Sequence, residues 1–347
     1  MGNYAIAITG GSTTKSHRVH PKLNSFAEVQ AAVRAGRAKD YFDIGQELRT
    51  HYTRNGSVYF MPWVVLDNNR ECVWPDGSRH PGLWIGSKYA TIEELQFDAP
   101  EKVDIVLAEE PNALEGWYYW GVDNRNQPEK IEVDPGAALP TTYVSYYRCL
   151  MDSNWIATCG YGRYLHCAIR QWLNSDGAAG EWWTAQHLGD KPPTQLDSIC
   201  GFMCGLDQDF LAVINPVKIQ VAANTVFDGG ITDIMYDRFF LQSIEELYGQ
   251  PREDAVGIDG PFFPYWKEVT GLDAPSKNGK IGAETVYNDA RKICTITSRQ
   301  AGVSADIALR SAWNNVAGFA DYIDKTGYMG RSTANSNYHA LPAACIS

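Results

Sequence analysis

Two pairs of residues have types and spacings that could support cysteine chemistry. Cys200 and Cys204 are separated by three residues, a spacing close to that of metal-ligating cysteines. His166 and Cys167 could form a nucleophilic pair. However, a zinc site needs a second ligand pair that the sequence does not supply, and adjacent residues on a helix point about 100° apart. We therefore expect ordinary thiols, mostly buried, at these positions.

Oxygen-bearing side chains form two groups that could bind a hard cation such as Ca²⁺. Glu110-Pro111-Asn112 is a tripeptide used by some calcium-dependent lectins, but the Trp-Asn-Asp that accompanies it there is missing. The nearest equivalent, Trp313-Asn314-Asn315, lies roughly 200 residues further along the chain. Asp228, Asp233 and Asp237 do not have the spacing of an EF-hand loop, and with Gly229-Gly230 they predict a turn. We expect neither a metal nor a cofactor.

The absence of a recognisable catalytic motif favours a binding protein over an enzyme. The sequence contains no Walker loop, no G-x-S-x-G elbow, no H-E-x-x-H and no dinucleotide fingerprint, so we predict no catalytic residues. The net charge of −11 and the lack of a basic stripe disfavour nucleic acid, and the acidic balance disfavours membrane adsorption. No apolar run reaches the roughly 18 residues of a membrane span, and no signal peptide is evident. Synthesis in a cytoplasm, with free thiols, is the expectation.

The C-terminal segment 304–347 has the composition of a recognition surface. Between Ser311 and Ala340 it contains four Asn, three Tyr, three Ser and three Gly, but no Glu, no Gln and one Lys. Tyr and Trp supply rigid contact area, while Asn, Ser and Gly supply adaptable hydrogen bonds. An irregular, solvated closing loop is the alternative interpretation. The residues of core type at the two ends of the segment are Ile307, Leu309, Leu341, Pro342 and Ile346.

The elements that must position this segment follow from local patterns. Ser25 is the predicted N-cap of a helix within residues 26–38, and Gly36 is expected to weaken or end that helix. Asn55-Gly56 between two β-rich runs predicts a hairpin. Thr91 and Glu94 form a capping-box pattern that predicts a short helix.

A second predicted helix and a turn-rich joint shape the rest of the chain. Residues 163–174 predict an amphipathic helix whose apolar face is formed by Leu165, Ile169, Trp172 and Leu173. Prolines and glycine near residue 140 mark a joint. The sequence therefore predicts a β-rich part over residues 1–140, suited to assembly or attachment, and a second part over residues 141–347.

Three motifs, in this order along the chain, resemble those of a protein family. Ala168–Asn174 resembles a helix motif S-x-I-R-x-W-L-N, and Phe240–Ser243 with Glu245-Glu246 resembles an F-L-x-S strand followed by acidic residues. Ala308–Ser311, Gly327 and Leu341–Ala343 resemble a closing L-R-S, Gly and R-P-A, with Leu341 at the usual Arg position. This layout is similar to the C-type-lectin-fold variable proteins of diversity-generating retroelements, typified by the phage major tropism determinant.

The resemblance implies an α+β fold, C-type-lectin-like over residues 141–347, with a variable region at about 304–347. In such proteins adenines are randomised, mostly at Asn-type codons, so the substituted side chains should lie outside the core. Trp313 and Met329 are not residues that randomisation of the adenines in an Asn codon would produce. We expect Tyr322, Asn335, Asn337 and Tyr338 to lie exposed on one face. The full predicted ligand-binding face comprises Trp313, Asn314, Asn315, Phe319, Asp321, Tyr322, Tyr328, Arg331, Ser332, Asn335, Asn337, Tyr338 and His339.

The function implied by the resemblance is host-receptor binding by a phage protein at the tail tip of the virion. Its partners would be a cell-surface protein or glycan, phage tail proteins and two further copies in a homotrimer; a bacterial cytoplasmic or cell-surface location is the alternative. One other function is a formylglycine-generating-type enzyme on the same fold, using Cys294 and Cys345. Because Cys345 lies in an apolar closing strand, we expect it to be buried and inert. A second alternative is that the chain is an invariant structural tail or baseplate protein.

Overall fold

Helices and strands alternate irregularly along the chain, which gives an α+β fold. The computed structural model describes residues 21–54, 56–101, 118–122, 128–132, 155–186, 190–223, 232–249, 260–270, 306–313, 316–324 and 329–347. The helices within these ranges include α1 (Phe26–Arg34), α2 (Ala38–Tyr41), α3 (Ala168–Leu173), α4 (Gln208–Leu211), α5 (Ile244–Tyr248) and α6 (Pro264–Thr270), with a 3₁₀ turn at Phe202–Gly205. Residues 155–159 are also helical. The strands are β1 (Glu47–Arg54), β2 (Ser57–Asp67), β3 (Glu71–Val73), β4 (Arg79–Pro81), β5 (Leu83–Ser87), β6 (Glu94–Gln96), β7 (Tyr118–Val122), β8 (Pro128–Glu132), β9 (Val217–Ala222), β10 (Thr232–Asp237), β11 (Phe239–Leu241), β12 (Ile307–Ala312), β13 (Phe319–Ile323), β14 (Met329–Thr333), β15 (Asn337–His339) and β16 (Pro342–Ile346).

The first of two five-stranded sheets has the order β1-β2-β5-β16-β11 and places the C-terminal strand in its interior. β16 pairs antiparallel with β5 on one side and with β11 on the other. β1 and β2 form the predicted hairpin, since Arg54 lies opposite Ser57. Gly56 in this turn has a φ of 75°, a left-handed conformation that glycine adopts without strain. The hairpin prediction is confirmed.

The second sheet has the order β14-β13-β12-β15-β6 and carries most of the C-terminal segment. Its strands pair antiparallel except for β12 and β15, which are parallel at Ile307 and His339. Each sheet therefore joins strands from both sides of residue 140, and one hydrophobic cluster extends across both parts. The predicted boundary near residue 140 therefore separates neither the two sheets nor the hydrophobic core into independent parts.

Two helices follow the local sequence patterns. The Ser25 hydroxyl accepts a hydrogen bond from the Glu28 backbone N–H at 3.2 Å, as expected of an N-cap. α1 ends at Arg34, and Gly36 just beyond it adopts a φ of 70°, in agreement with its predicted role at the end of the helix. α3 begins only at Ala168, since a turn covers residues 164–166, but its predicted apolar face is correct. Its side chains Ile169, Trp172 and Leu173 are buried and Leu165 is partly buried.

The predicted helix after Thr91 is wrong. Glu94–Gln96 is strand β6, whose residues pair with the C-terminal strand β15. The Thr91 hydroxyl accepts a hydrogen bond from the Ala340 backbone N–H at 2.9 Å rather than from a helical N–H. Pairing with a strand about 240 residues away thus overrides the local capping pattern. Within the described ranges, no helix is long and apolar enough to cross a membrane.

Candidate recognition surface

Strand register divides the predicted contact residues between two faces of the second sheet. On β13 and β14, Asp321 lies opposite Arg331, while Tyr322 lies opposite Gly330. Because successive side chains of a strand point to opposite faces, Phe319, Asp321 and Arg331 share one face and Tyr322 lies on the other. The expectation of a single face is therefore wrong.

The first face carries an aromatic–arginine cluster formed by Trp155, Trp313, Phe319 and Arg331. The Phe319 ring lies 5.5 Å from the Trp155 ring and 5.5 Å from the Trp313 ring, measured between centroids. The Arg331 guanidinium carbon lies 3.9 Å from the Trp313 ring centroid, in the geometry of a cation–π contact. Trp155 is 38% exposed, Arg331 is exposed, and the other two rings are half-buried.

Two backbone features hold this cluster in place. A register shift between Ala308 and Ala312 brings Ala312 opposite Ala320, so that the next residue, Trp313, reaches the Phe319 ring. Gly318 permits the close approach of Trp155, since a Cβ at Gly318 would lie 3.0 Å from the Trp155 carbonyl carbon. A larger residue at position 318 would displace the Trp155 segment.

The residue types of the cluster are suited to contact with a partner. Its tryptophans and arginine are the residue types that dominate binding energy at interfaces. Aromatic faces provide apolar contact area, and the guanidinium adds hydrogen-bond donors with little cost in desolvation. Together these groups can stack on a flat partner group and donate hydrogen bonds to its oxygens.

The second face is closed by two tyrosines, and Tyr338 is buried instead of exposed. Its side chain is 2% exposed, its ring lies 5.6 Å from that of Tyr322, and its hydroxyl donates to the Thr333 carbonyl oxygen at 3.1 Å. Burial raises the pKa of Tyr338 to about 12. The neighbouring Asn337 points to the opposite face and is exposed, where its side-chain oxygen accepts a hydrogen bond from Gln195 at 2.8 Å.

Other predicted contact residues differ in how accessible they are. Asp321 and His339 are buried, which contradicts their expected outward position. The His339 ring lies 2.8 Å from a Glu94 carboxylate oxygen through Nε2 and 2.7 Å from the Thr91 carbonyl oxygen through Nδ1. These contacts link β15 to β6 and to the segment that precedes β6. Tyr322, Ser332 and Asn335 are half-buried. Asn314, Asn315 and Tyr328 lie outside the described residues.

Beneath the surface, the sequence motifs meet in a buried polar network. Arg310 of β12 pairs with Glu246 of α5 at 2.5 Å and donates to the Leu241 carbonyl oxygen at 2.6 Å. The Ser243 hydroxyl caps α5 in a capping box with Glu246, and the Ser311 hydroxyl accepts from the Ile244 N–H at 2.9 Å. The network holds β12, a strand of the second sheet, against α5.

Sequence reasoning missed two arginine–aspartate pairs that anchor the α3 region to β10. Arg163 donates two hydrogen bonds to Asp233, at 2.8 and 2.7 Å, and Arg170 donates two to Asp237 at the same distances. The turn predicted from Asp228, Asp233 and Asp237 is therefore wrong for the last two, which lie in a strand; Asp228 lies outside the described residues. The seven-residue spacing of the two arginines is the one signal that could have indicated a common partner strand.

The structure describes four of the five candidate cysteines. Cys167 and Cys345 are fully buried, and burial raises the pKa of both thiols. The prediction that Cys345 is buried is confirmed; Cys294 lies outside the described residues. Cys200 and Cys204 belong to no group of three or more ligand side chains in the described ranges.

The comparisons with known proteins identify a family for the C-terminal part. A family model described as Domain of unknown function (DUF6273) matches residues 141–347. No curated protein and no solved structure matches the chain. The matched range contains the buried motif network and the aromatic–arginine cluster.

Proposed function

The chain belongs to the DUF6273 family, and we propose that it is a ligand-binding protein whose contact surface centres on the aromatic–arginine cluster. The observation that carries this proposal is the position of Arg331 over Trp313, beside Phe319 and the exposed Trp155. Large aromatic side chains are normally placed in the core, whereas these rings are exposed or only half-buried and lie beside a guanidinium.

The scaffold beneath the cluster supports the same function. Binding surfaces are most effective when their side chains are held by rigid elements, because less conformational entropy is lost on association. Here the buried Arg310–Glu246 pair fixes β12, and β12 carries Trp313 at its end. Replacement of exposed side chains on such a scaffold changes the contact surface at little cost in stability.

The finer proposal is a C-type-lectin-like receptor-binding protein, diversified by a retroelement and carried at a phage tail tip. Its support is the ordered set of motifs and the Asn-, Ser- and Tyr-rich composition of the C-terminal segment. The ligand would be a cell-surface protein or glycan of the host. Attachment through the N-terminal part and assembly as a homotrimer belong to the same proposal.

A binding assay tests the recognition surface. The labelled full-length chain is titrated onto envelope preparations from a panel of bacterial strains, and saturable binding is expected for at least one strain. Arg331→Ala should weaken that binding by at least about tenfold, since anchors of this type contribute more than 1 kcal/mol. The control Arg79→Ala removes an arginine that is 73% exposed elsewhere and should change nothing. Equal losses in both variants would contradict the proposed surface.

Sequencing of the encoding locus tests the diversification. A near-copy of the DNA for residues 304–347, differing at adenines and lying beside a reverse-transcriptase gene, is expected. Its absence from a complete genome would remove the retroelement from the proposal and leave the binding surface to be judged on the titration alone.

A further inference from the structure

Two thiols lie close together in the short turn between Cys200 and Cys204, outside the aromatic–arginine cluster. The Cys204 backbone N–H donates to the Gly201 carbonyl oxygen at 3.1 Å, where the 3₁₀ turn Phe202–Gly205 begins. A side-chain hydrogen bond joins the two thiols. Cys204 is exposed and Cys200 is half-buried. The pair is therefore a dithiol that small reagents in solution can reach.

Specific backbone contacts hold the turn that carries the dithiol. The Met203 N–H donates to the Ser175 carbonyl oxygen at 3.0 Å, and the Trp172 indole N–H donates to the Cys200 carbonyl oxygen at 2.9 Å. A Cβ at Gly201 would lie 2.3 Å from the Ser175 carbonyl oxygen, so the two segments can approach this closely only because residue 201 is glycine. These contacts keep the two sulfur atoms within reach of each other.

The side chain between the two cysteines anchors the turn in the core. Phe202 is 1% exposed, and its ring centroid lies 5.3 Å from that of Trp172 and 5.2 Å from that of Phe239. Buried aromatic rings contribute a large part of the packing energy of a core. Because Phe202 occupies the inward side of the turn, the Cys204 side chain is directed toward solvent.

The two thiols have different roles in an exchange reaction. Burial, followed by the charge of Cys204 and the hydrogen bond with it, raises the pKa of Cys200. The Cys200 thiol therefore keeps its proton at neutral pH and donates the hydrogen bond. Since the thiolate is the attacking species and access limits its reaction, the exposed Cys204 is the sulfur that attacks a reagent from solution. Cys200 is placed to attack in a second step.

We propose that Cys200 and Cys204 form a redox-active site whose substrate is a low-molecular-weight disulfide such as oxidised glutathione. The Cys204 thiolate attacks one glutathione sulfur and breaks the S–S bond, so a mixed disulfide forms and a glutathione thiolate leaves. Cys200 then releases its proton to water, attacks the Cys204 sulfur and displaces the second glutathione thiolate. The protein loses two electrons and two protons, and the small disulfide is reduced to two glutathione molecules.

The disulfide formed in this way should be reversible. It closes a ring of only five residues, 200–204, and strained or exposed disulfides are reduced more readily than buried structural ones. A reducing compartment keeps the pair as thiols, whereas an oxidising one closes it. No residue of the aromatic–arginine cluster takes part, so this site is independent of the proposed ligand-binding surface.

The test equilibrates the folded full-length chain, near neutral pH, with mixtures of reduced and oxidised glutathione. Free thiols are then trapped by alkylation, and the peptides are resolved by mass spectrometry. At about 0.1 mM glutathione the Cys200–Cys204 disulfide should exceed the mixed disulfide at least about tenfold, because a thiol held in the same turn has an effective concentration of about a millimolar or more. Excess reduced glutathione should restore both thiols. The buried Cys159 is the internal control and should stay unmodified.

Two variants separate the steps. Cys200→Ser should stop the reaction at a stable mixed disulfide on Cys204, whereas Cys204→Ser should react at least about tenfold more slowly, since its remaining thiol is half-buried. The wild-type measurement decides the question even if a variant folds poorly. The proposal is overturned if the folded wild type accumulates only the mixed disulfide on Cys204, if neither thiol reacts, or if the Cys200–Cys204 disulfide forms only after unfolding.

Discussion

Arg310 and Glu246 form an ion pair in the interior, with Arg310 Nη1 2.5 Å from Glu246 Oε2 and side-chain exposures of 1% and 4%. The guanidinium also lies 5.4 Å from the centroid of the Phe240 ring. The pair joins β12, which leads directly into Trp313 of the aromatic–arginine cluster, to the capped first turn of α5. Its two halves come from the two sequence motifs that are 64 residues apart.

Removal of Arg310 should destabilise the fold strongly. Arg310→Met fills most of the same volume but leaves the Glu246 carboxylate buried without its cation, so a loss of about 3–5 kcal/mol in unfolding free energy is expected. Urea denaturation measures the loss. Arg79→Met at an exposed site should stay within about 0.5 kcal/mol of the wild type. A change below about 1 kcal/mol for Arg310→Met would show that the pair does not hold the scaffold.

Adjacent residues at the start of β15 should respond in opposite ways. Tyr338→Ala removes a buried ring and should lower the unfolding free energy by about 3–5 kcal/mol, since large-to-small core substitutions leave a cavity. Asn337→Ala changes an exposed side chain and should cost about 0.5 kcal/mol or less. Thermal and urea unfolding of the two variants provide the comparison. Similar losses in both would mean that the register of β15 differs from the one described.

Stability should fall as the pH rises from about 5 to 9. Burial, the charge of Asp98 and a hydrogen bond with Asp190 raise the pKa of Glu101 from 4.5 to about 10, and burial with the charge of Asp190 raises that of Asp98. A carboxyl whose folded pKa is raised stabilises the fold fully below its unfolded pKa and loses this contribution as the pH rises toward the folded value. Each such group contributes a slope of up to about 1.4 kcal/mol per pH unit.

Glu101→Gln isolates this contribution because it imitates the neutral carboxyl. Unfolding free energies of wild type and variant, measured between pH 5 and 9, should diverge in favour of the variant as the pH rises. Parallel curves would show that Glu101 titrates alike in the folded and unfolded states.

Thiol reagents should distinguish the cysteines by exposure. Cys204 is exposed, whereas Cys345 is fully buried and has a raised pKa. Labelling of the native protein, resolved by peptide mass spectrometry, should modify Cys204 within minutes and Cys345 only at the rate of unfolding. Rapid native labelling of Cys345 would contradict its burial and would favour the alternative of a cysteine-dependent enzyme.

Local patterns predicted those parts of the fold that local interactions determine. The N-cap at Ser25, the Gly56 hairpin and the apolar side of α3 each depend on residues within one turn or one loop. Burial of Ile307, Leu309 and Ile346 at the ends of the C-terminal segment was also predicted correctly. These features need no knowledge of distant partners.

The parts that could not be predicted depend on register and on long-range pairing. The side on which Tyr338 lies follows from the pairing of β15 with β6, a strand that was predicted to be a helix. The Trp155 ring contacts the Phe319 ring although the two residues are about 160 positions apart in the sequence. Likewise, the Tyr52 hydroxyl of the hairpin donates a hydrogen bond to Glu93, 41 residues further along the chain. A shift of one residue in register would exchange the two faces, which composition alone cannot detect.

The central claim is that the C-terminal segment combines a fixed scaffold with an exposed surface that can change and binds a ligand. One triple variant, Trp313→Ser with Arg331→Ser and Asn337→Ser, tests both halves at once. Its unfolding free energy should lie within about 2 kcal/mol of the wild type, because none of the three side chains is fully buried, while envelope binding should fall at least 100-fold. Unfolding of this variant, or binding that survives unchanged, would contradict the account.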